Sequence, residues 1–155
     1  MNKEEQLIIG VRKLFNQMVW LNKQKMEDSL KGYTPSEVHC VETIAKNKEP
    51  NVTKLAESLY MTKGAISKLT KKLMEKDLIE SYRKPENKKE IYFRLTEQGK
   101  VIFKIHEELH KSFQERDKVV FEQITEEQFD SMLAFVKKYS SHLDAEIKRQ
   151  GLTIS

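Results

Sequence analysis

The sequence predicts a mainly α-helical fold that carries one small β-hairpin, and three observations support this prediction. Across most of the 155 residues, apolar side chains recur at intervals of three and four, as they do in amphipathic helices. Between residues 79 and 95 the pattern changes to alternation, which is typical of paired strands. Charged residues make up 34% of the chain and hydrophobic residues 38%, so the helices must leave a large polar surface.

The first two helices have clear boundaries. The first is predicted from Gln6 to about Ser29, and Gly32 marks its end. Its apolar stripe is wide, which predicts burial on more than one side; the stripe contains Leu7, Val11, Leu14, Met18 and Leu21. Residues 34–37 (Thr-Pro-Ser-Glu) combine an N-cap threonine, a proline at the first helical position and a glutamate that closes a capping box. A second helix therefore begins there.

A pair of short helices follows a break at residues 49–51. Thr53 is the expected cap of the first helix of the pair, which spans residues 54–59. Tyr60 and Met61 form the turn, and Thr62 caps the second helix of the pair.

That second helix has two different faces at 100° per residue. The core face contains Thr62, Ala65, Ile66, Leu69, Thr70 and Leu73. The opposite face is polar and cationic, and it contains Lys63, Gly64, Ser67, Lys68, Lys71 and Lys72. Four lysines, a hydroxyl and a bare glycine backbone suit the phosphates and groove floors of duplex DNA. A solvated lysine face is the alternative interpretation.

The alternating segment predicts a hairpin with strands at residues 79–83 and 90–95. Ile91, Phe93 and Leu95 should share its apolar face. The intervening loop of residues 84–89 carries three lysines, which could reach the DNA backbone or the adjacent minor groove. A short helix, a tight turn, a basic helix and a basic hairpin, in this order, predict a winged helix-turn-helix whose second helix enters the major groove.

From Thr96 onwards the pattern is helical again. One long helix should run to near Phe121, and a second capping box at residues 125–128 should begin the last helix. The last helix repeats its apolar residues in nearly heptad spacing: Phe129, Met132, Val136, Tyr139, Leu143 and Ile147. Because the apolar stripes of the terminal helices have no partner domain, we expect a homodimer. Residues 1–33 and 96–155 would form its dimerisation helices, and residues 34–95 its DNA-binding domain.

The basic charge of the chain is local. The net charge is only +4, yet residues 63–89 contain nine Lys or Arg against four Asp or Glu, which leaves −1 for the remainder. A confined basic region is the expected footprint of nucleic-acid binding. The single cysteine allows no internal disulfide, and no apolar run approaches the roughly 18 residues of a membrane span. We therefore expect a cytoplasmic protein without a membrane partner.

Residues 34–96 resemble the MarR family of winged-helix regulators, and the flanking helices resemble the dimerisation arms of that family. The resemblance implies a homodimeric repressor that binds a pseudo-palindromic operator in double-stranded DNA and responds to a small molecule or a metal. The residues expected to contact DNA are Thr62, Lys63, Gly64, Ala65, Ser67, Lys68, Lys71 and Lys72 in the helix, with Arg83, Lys84, Lys88 and Lys89 in the hairpin. Asn87 and Lys89 depart from the Asp-x-Arg pair of the family, and Tyr60 stands where a glycine is common.

Three histidines are candidate metal ligands. His106 and His110 are four residues apart, so both face one side of a helix, a spacing that suits a metal ion. With His39 they are similar to the site of the zinc-responsive branch of MarR-type repressors, which implies a zinc ion and a carboxylate from the first helix. Glu27 is the choice for that carboxylate, while Asp28, Glu37, Glu42 and Glu107 are the other acids considered. Exposed histidines on a charged helix are the alternative.

Other functions remain to be weighed against DNA binding. A winged-helix protein-interaction module would lack the lysine face, and a metal-dependent hydrolase would need a catalytic signature that the sequence does not contain. Cys40 is either a small buried hydrophobe or a redox trigger. Four aromatic residues either border a small-molecule pocket or pack in the core: Phe15, Trp20, Tyr33 and Phe113.

Overall fold

The computed structural model describes residues 1–152, which form six helices and one two-stranded antiparallel sheet. The elements are α1 (Lys3–Ser29), α2 (Pro35–Lys46), α3 (Val52–Leu59), α4 (Lys63–Glu75), β1 (Ile79–Lys84), β2 (Asn87–Leu95), α5 (Glu97–Phe121) and α6 (Glu126–Arg149). The predicted fold class, mainly helical with one hairpin, is confirmed. Residues 153–155 of the predicted C-terminal region lie outside the described residues.

Helix starts follow the capping signals of the sequence, except at α1 and α3. Helix α1 begins at Lys3 behind the cap Asn2, earlier than the predicted Gln6. Both predicted capping boxes form, at Thr34 with Glu37 and at Thr125 with Gln128. The prediction that Thr53 caps α3 is wrong. Asn51 is the cap, because its Oδ1 atom accepts a hydrogen bond of 2.9 Å from the backbone N–H of Lys54, three residues later.

The core lies between α2, α3, α4 and the start of α5. Leu55, Ile66, Leu73 and Leu78 are fully buried, and Ile102 of α5 packs on the same cluster. We call the body formed by α2, α3, α4 and the hairpin the head. Its shared core holds α4 in place while the outer face of that helix stays open.

The start of α5 is hydrogen-bonded to residues 77 and 78, which follow the end of α4. The backbone N–H of Thr96 donates to the carbonyl oxygen of Leu78 at 3.0 Å, and the hydroxyl of Thr96 donates to the carbonyl oxygen of Asp77 at 2.6 Å. Gly99 approaches so closely that a Cβ atom there would lie 2.0 Å from the Leu78 carbonyl oxygen. Only glycine permits this contact between α5 and the head.

The hairpin is longer than predicted and turns more tightly. Its strands include Lys84 and residues 87–89, so only Pro85 and Glu86 remain in the turn instead of the predicted six-residue loop. Its apolar face also differs, since Ile91 is exposed while Tyr92 is buried with Phe93. A register shift between Tyr82 and Lys84 accompanies this difference, and the Tyr82 ring covers the Tyr92 ring at a centroid distance of 5.6 Å.

The long terminal helices bury little within one chain. Neither α1 nor α6 contains a buried residue, although both carry large apolar side chains. The prediction that α1 is buried on more than one side is therefore wrong for the single chain. No helix within residues 1–152 has the length and apolar character needed to cross a membrane.

Candidate nucleic-acid interface and histidine cluster

The turn between α3 and α4 fixes the angle between the two helices. Tyr60 ends α3 in the left-handed conformation, with φ 52° and ψ 50°. This conformation costs about 1 kcal/mol for a residue with a Cβ atom. Thr62 then begins α4, since its hydroxyl oxygen accepts a hydrogen bond of 3.1 Å from the backbone N–H of Ala65. Together these residues form the helix-turn-helix that the sequence predicts.

The two predicted faces of α4 are present. Its buried residues are Ile66, Leu69, Thr70 and Leu73, all from the predicted core face. Gly64, Ser67, Lys68, Lys71 and Lys72 are exposed together on the opposite side. Three assignments differ at the first turn, where Thr62 is exposed and Ala65 and Lys63 are partly buried. The first turn of a helix protrudes from the core, so its side chains are neither fully buried nor fully free.

The exposed lysines of α4 carry free charges. None of the salt bridges within residues 1–152 involves Lys68, Lys71 or Lys72. Lys76, just beyond the helix, is different because it pairs with the buried carboxylate of Glu37 at 2.7 Å. An unpaired ammonium group gains the most from a phosphate and releases a counterion when it binds. The outer face of α4 is therefore suited to the DNA backbone.

Lys84 is the predicted DNA contact whose charge is already satisfied. Its Nζ atom pairs with the carboxylate of Glu49 and lies 5.1 Å above the centre of the Tyr92 ring. The hydrogen bond from this ammonium lowers the pKa of Glu49 and raises the pKa of Lys84. The same lysine thus stabilises the hairpin against the loop before α3.

The other hairpin cations remain available. Lys88 and Lys89 are exposed, and the guanidinium of Arg83 donates to the backbone carbonyl oxygen of Lys88. Asn87 accepts a hydrogen bond of 3.3 Å from the backbone N–H of Glu90, so its side chain supports the strand instead of orienting Lys89. The hairpin, whose strand β1 contacts α4, therefore offers three cations.

The histidines lie where α5 packs against α2. His106 is only 2% exposed, and its Nδ1 atom is 3.0 Å from a carboxylate oxygen of Glu42. Its Nε2 atom is 3.0 Å from the Nε2 atom of His110. Candidate ligand atoms of these three residues all lie within 4.8 Å of one another. We call Glu42, His106 and His110 the histidine cluster.

The predicted ligands only partly coincide with this cluster. His106 and His110 come together as expected, and the ring of His39 lies 6.2 Å from that of His106 without joining the cluster. Glu27 is exposed on α1 and faces Lys23 at 3.9 Å, so the structure does not bring it to the histidines. The carboxylate that sequence reasoning did not select is Glu42. Its position three residues after His39, on the same face of α2, was the signal that could have identified it.

Hydrogen bonding assigns the tautomers of the cluster. A carboxylate beside Nδ1 of His106 favours a proton on that nitrogen, which leaves a lone pair on Nε2 to accept a hydrogen bond from the Nε2–H group of His110. Burial lowers the pKa of His106, and the carboxylate of Glu42 opposes this only in part. Burial alone would raise the pKa of Glu42, but Lys46 and the neighbouring imidazole bring it below its usual value. The cluster therefore contains an ionised carboxylate and a neutral buried imidazole. These are the protonation states in which both groups can bind a metal ion.

Two other predicted features have simple structural roles. Cys40 is completely buried, and burial raises the pKa of its thiol to about 12, so it packs as a small hydrophobe. The four aromatic residues differ in burial, and Tyr33 is partly buried against the core. Phe113 is buried beneath Arg116, whereas Phe15 and Trp20 are exposed on α1.

Comparisons with known proteins agree with this architecture. Residues 33–91 match the model of the MarR family. The chain is 27% identical over 147 residues to the HTH-type transcriptional regulator PchR of Bacillus subtilis (strain 168), which covers 86% of this chain and 87% of that protein. The HTH-type regulator YhjH of the same bacterium is 33% identical over 109 residues, which covers 70% of this chain and 62% of that protein. The crystal structure of Streptococcus pneumoniae FabT in complex with DNA has a similar fold, with a TM-score of 0.78 and 19% identity over 92% of this chain and 99% of that chain.

These findings decide between the alternatives that the sequence left open. The relatives are transcriptional regulators, which excludes the hydrolase, and the free lysine face of α4 favours DNA over a purely protein-binding module. The chain is therefore a winged helix-turn-helix transcriptional regulator that binds DNA, and its residues 33–91 match the MarR family.

Proposed function

We propose that the protein is a homodimeric repressor that binds a pseudo-palindromic operator and responds to zinc. Residues 34–95 would form the DNA-binding domain, and residues 1–33 and 96–155 the dimerisation helices. The observation that carries the DNA-binding part is the unpaired lysine face of α4, flanked by the hairpin cations. Each α4 would enter a major groove, and the hairpin of the same chain would contact the neighbouring backbone or minor groove.

The terminal helices supply the argument for a dimer. In α1, Leu14 is 59% exposed and Phe15 61% exposed, and in α6, Leu133 is 65% exposed. A contiguous apolar surface on long helices is costly in water, and a second copy would cover it with the same surface. Two-fold symmetry of the protein would then match two-fold symmetry in the operator.

The histidine cluster supplies the argument for zinc. Neutral imidazole nitrogens and a carboxylate are ligands that zinc prefers, and a tetrahedral site accommodates four of them. The Nε2 atoms of His106 and His110 already converge, and zinc would replace the proton that they share. Glu42 would either bind the ion or hold the His106 ring through Nδ1, and His39 is close enough to join after a rotation of its side chain.

Zinc at this position would connect the head to the dimerisation helices. Glu42 and His39 belong to α2 of the head, whereas His106 and His110 belong to α5. A tie between these helices would favour one spacing of the two α4 helices, so zinc should change operator affinity by a coupling of about 1–3 kcal/mol. Proton competition for the imidazoles should weaken this effect as the pH falls.

Operator affinity with zinc and with a chelator tests the proposal. The variants are the wild type, His106→Ala and His142→Ala, the last being a control histidine on α6 outside the cluster. We expect a zinc effect in the wild type and in His142→Ala, and none in His106→Ala. Equal affinities in every combination, with no zinc retained by the purified wild type, would remove zinc from the proposal and leave the DNA-binding part intact.

A further inference from the structure

Tyr60 occupies a strained position for which core packing gives no reason. Its backbone is left-handed, a conformation in which glycine is more stable than any residue with a Cβ atom. The side chain is 65% exposed, so burial of the ring does not compensate for the strain. A strained residue at the turn between α3 and α4 calls for another explanation.

The hydroxyl group of Tyr60 provides an explanation for the strained position. Its hydroxyl donates a hydrogen bond of 2.8 Å to the Oδ1 atom of Asp144, which lies on α6 and is 84 residues away in the chain. The other hydrogen bonds and salt bridges that α6 side chains make within residues 1–152 stay inside α6 or at its own cap. Tyr60 and Asp144 therefore form the polar side-chain link between α6 and the head in the described part of the chain.

We propose that Tyr60 is a positioning residue for operator recognition and that its hydrogen bond to Asp144 restricts the angle of α4 relative to α6. The turn that contains Tyr60 sets the direction of α4, and α6 belongs to the proposed dimerisation surface. In a dimer, two such links would narrow the range of distances between the two α4 helices. This inference rests on the proposed dimer, and it adds a residue that sets tolerance to half-site spacing.

Loss of this hydrogen bond should change operator affinity by an amount that depends on the spacing of the two half-sites. A head that moves more freely relative to α6 loses more conformational entropy when it binds an operator of one fixed spacing. The same freedom allows it to bind operators whose half-sites are closer or farther apart. Without the link, affinity for the optimal operator should fall by about two- to fivefold, as expected for one solvent-exposed hydrogen bond. Affinity for operators of altered spacing should stay the same, so discrimination between spacings should decrease by the same two- to fivefold.

The experiment uses the full chain and a duplex selected by the wild-type protein from a random pool. Variants of this duplex have one base pair added or removed between the half-sites. Tyr60→Phe removes the hydroxyl and keeps the ring and the backbone strain, whereas Asp144→Ala removes the acceptor. Asp144→Asn keeps an acceptor oxygen, and Tyr139→Phe is a control that removes a hydroxyl elsewhere on α6.

We expect the ratio of affinities for optimal and altered spacing to fall about two- to fivefold in Tyr60→Phe and Asp144→Ala, with no further loss in the double variant. Asp144→Asn and Tyr139→Phe should keep the wild-type ratio, and all variants should remain dimeric. Unchanged ratios in a dimeric Tyr60→Phe protein would overturn this inference alone. A wild-type protein that binds the duplex only as a monomer would overturn the inference together with the proposed dimer.

Discussion

Individual lysines of this protein differ in how free their charges are, and this difference decides which of them can bind DNA. Lys68 and Lys71 have no salt-bridge partner among the described residues, whereas Lys76 and Lys84 are paired with Glu37 and Glu49. Pairing reduces the gain from a phosphate, since the existing contact must be broken first. A count of charges in the sequence does not distinguish these four lysines, but their salt bridges in the structure do.

The first prediction concerns the free lysines of α4. Lys68→Ala and Lys71→Ala should each weaken operator binding and reduce the magnitude of the salt slope by about one, because each loses one phosphate contact. Affinity is measured over a series of salt concentrations. Lys100→Ala, on the exposed side of α5, is the control and should leave the slope unchanged. Wild-type slopes in both α4 variants would contradict the assignment of α4 as the DNA-contacting helix.

The second prediction concerns Gly99. An alanine there would place its Cβ atom 2.0 Å from the carbonyl oxygen of Leu78, so α5 must move away from the head. Gly99→Ala should lower the free energy of unfolding by about 2–3 kcal/mol in urea denaturation. Gly10→Ala is the matched control. No atom lies within 4 Å of its Cβ position, so the better helix propensity of alanine should stabilise α1 by up to about 1 kcal/mol.

At the scale of elements, the hairpin combines a structural part with a DNA-binding part. Lys84, Tyr92 and Tyr82 form a stack that continues to Arg94, whose guanidinium lies 4.8 Å from the centre of the Tyr82 ring. The backbone N–H of Phe93 also donates to the carbonyl oxygen of Pro50 at 2.9 Å. These contacts fix the direction of the hairpin, which leaves its free cations to meet DNA.

The third prediction separates these two parts. Lys89→Gln should reduce the magnitude of the salt slope of operator binding by about one, whereas Lys84→Gln should change it little, since Glu49 already compensates its charge. Lys84→Gln should instead loosen the hairpin, which faster backbone hydrogen exchange in β1 and β2 would reveal. Equal slope changes in both variants would mean that Lys84 leaves Glu49 to bind DNA.

In the whole molecule, the terminal helices α1 and α6 are the elements whose apolar side chains are least buried within a single chain. Their apolar side chains remain exposed, although their sequence periodicity is regular and their caps are well formed. Such helices gain most of their stability from packing against other helices. Assembly and DNA binding should therefore be coupled.

The fourth prediction tests this coupling. Leu14→Glu and Val136→Glu place a charge where the apolar side chain is now about 60% exposed, so a single chain should tolerate them, whereas a dimer should not. Sedimentation should show monomer or aggregate, with operator binding lost. Lys137→Glu changes the charge on a neighbouring position of α6 and should remain dimeric. A wild-type protein that is a stable monomer at micromolar concentration would refute the dimer.

Local signals in the sequence were sufficient for much of the architecture. Capping residues, turn residues and the change from helical to alternating periodicity act within a few neighbours, so both capping boxes, the basic face of α4 and the hairpin could be predicted. The cap of α3 was missed because Asn51 and Thr53 are both good caps, and local preference alone does not choose between them.

Contacts between distant residues could not be predicted in the same way. The sequence determined that the protein is a winged-helix DNA-binding regulator, because that fold depends on the order and periodicity of local elements. Only the tertiary structure decided that Glu42, not Glu27, meets His106, that Glu49 neutralises Lys84, and that Tyr60 bonds to Asp144. Each of these depends on how helices and strands are packed in space, and several acids in the chain remained candidate partners until that packing placed one of them within hydrogen-bonding distance.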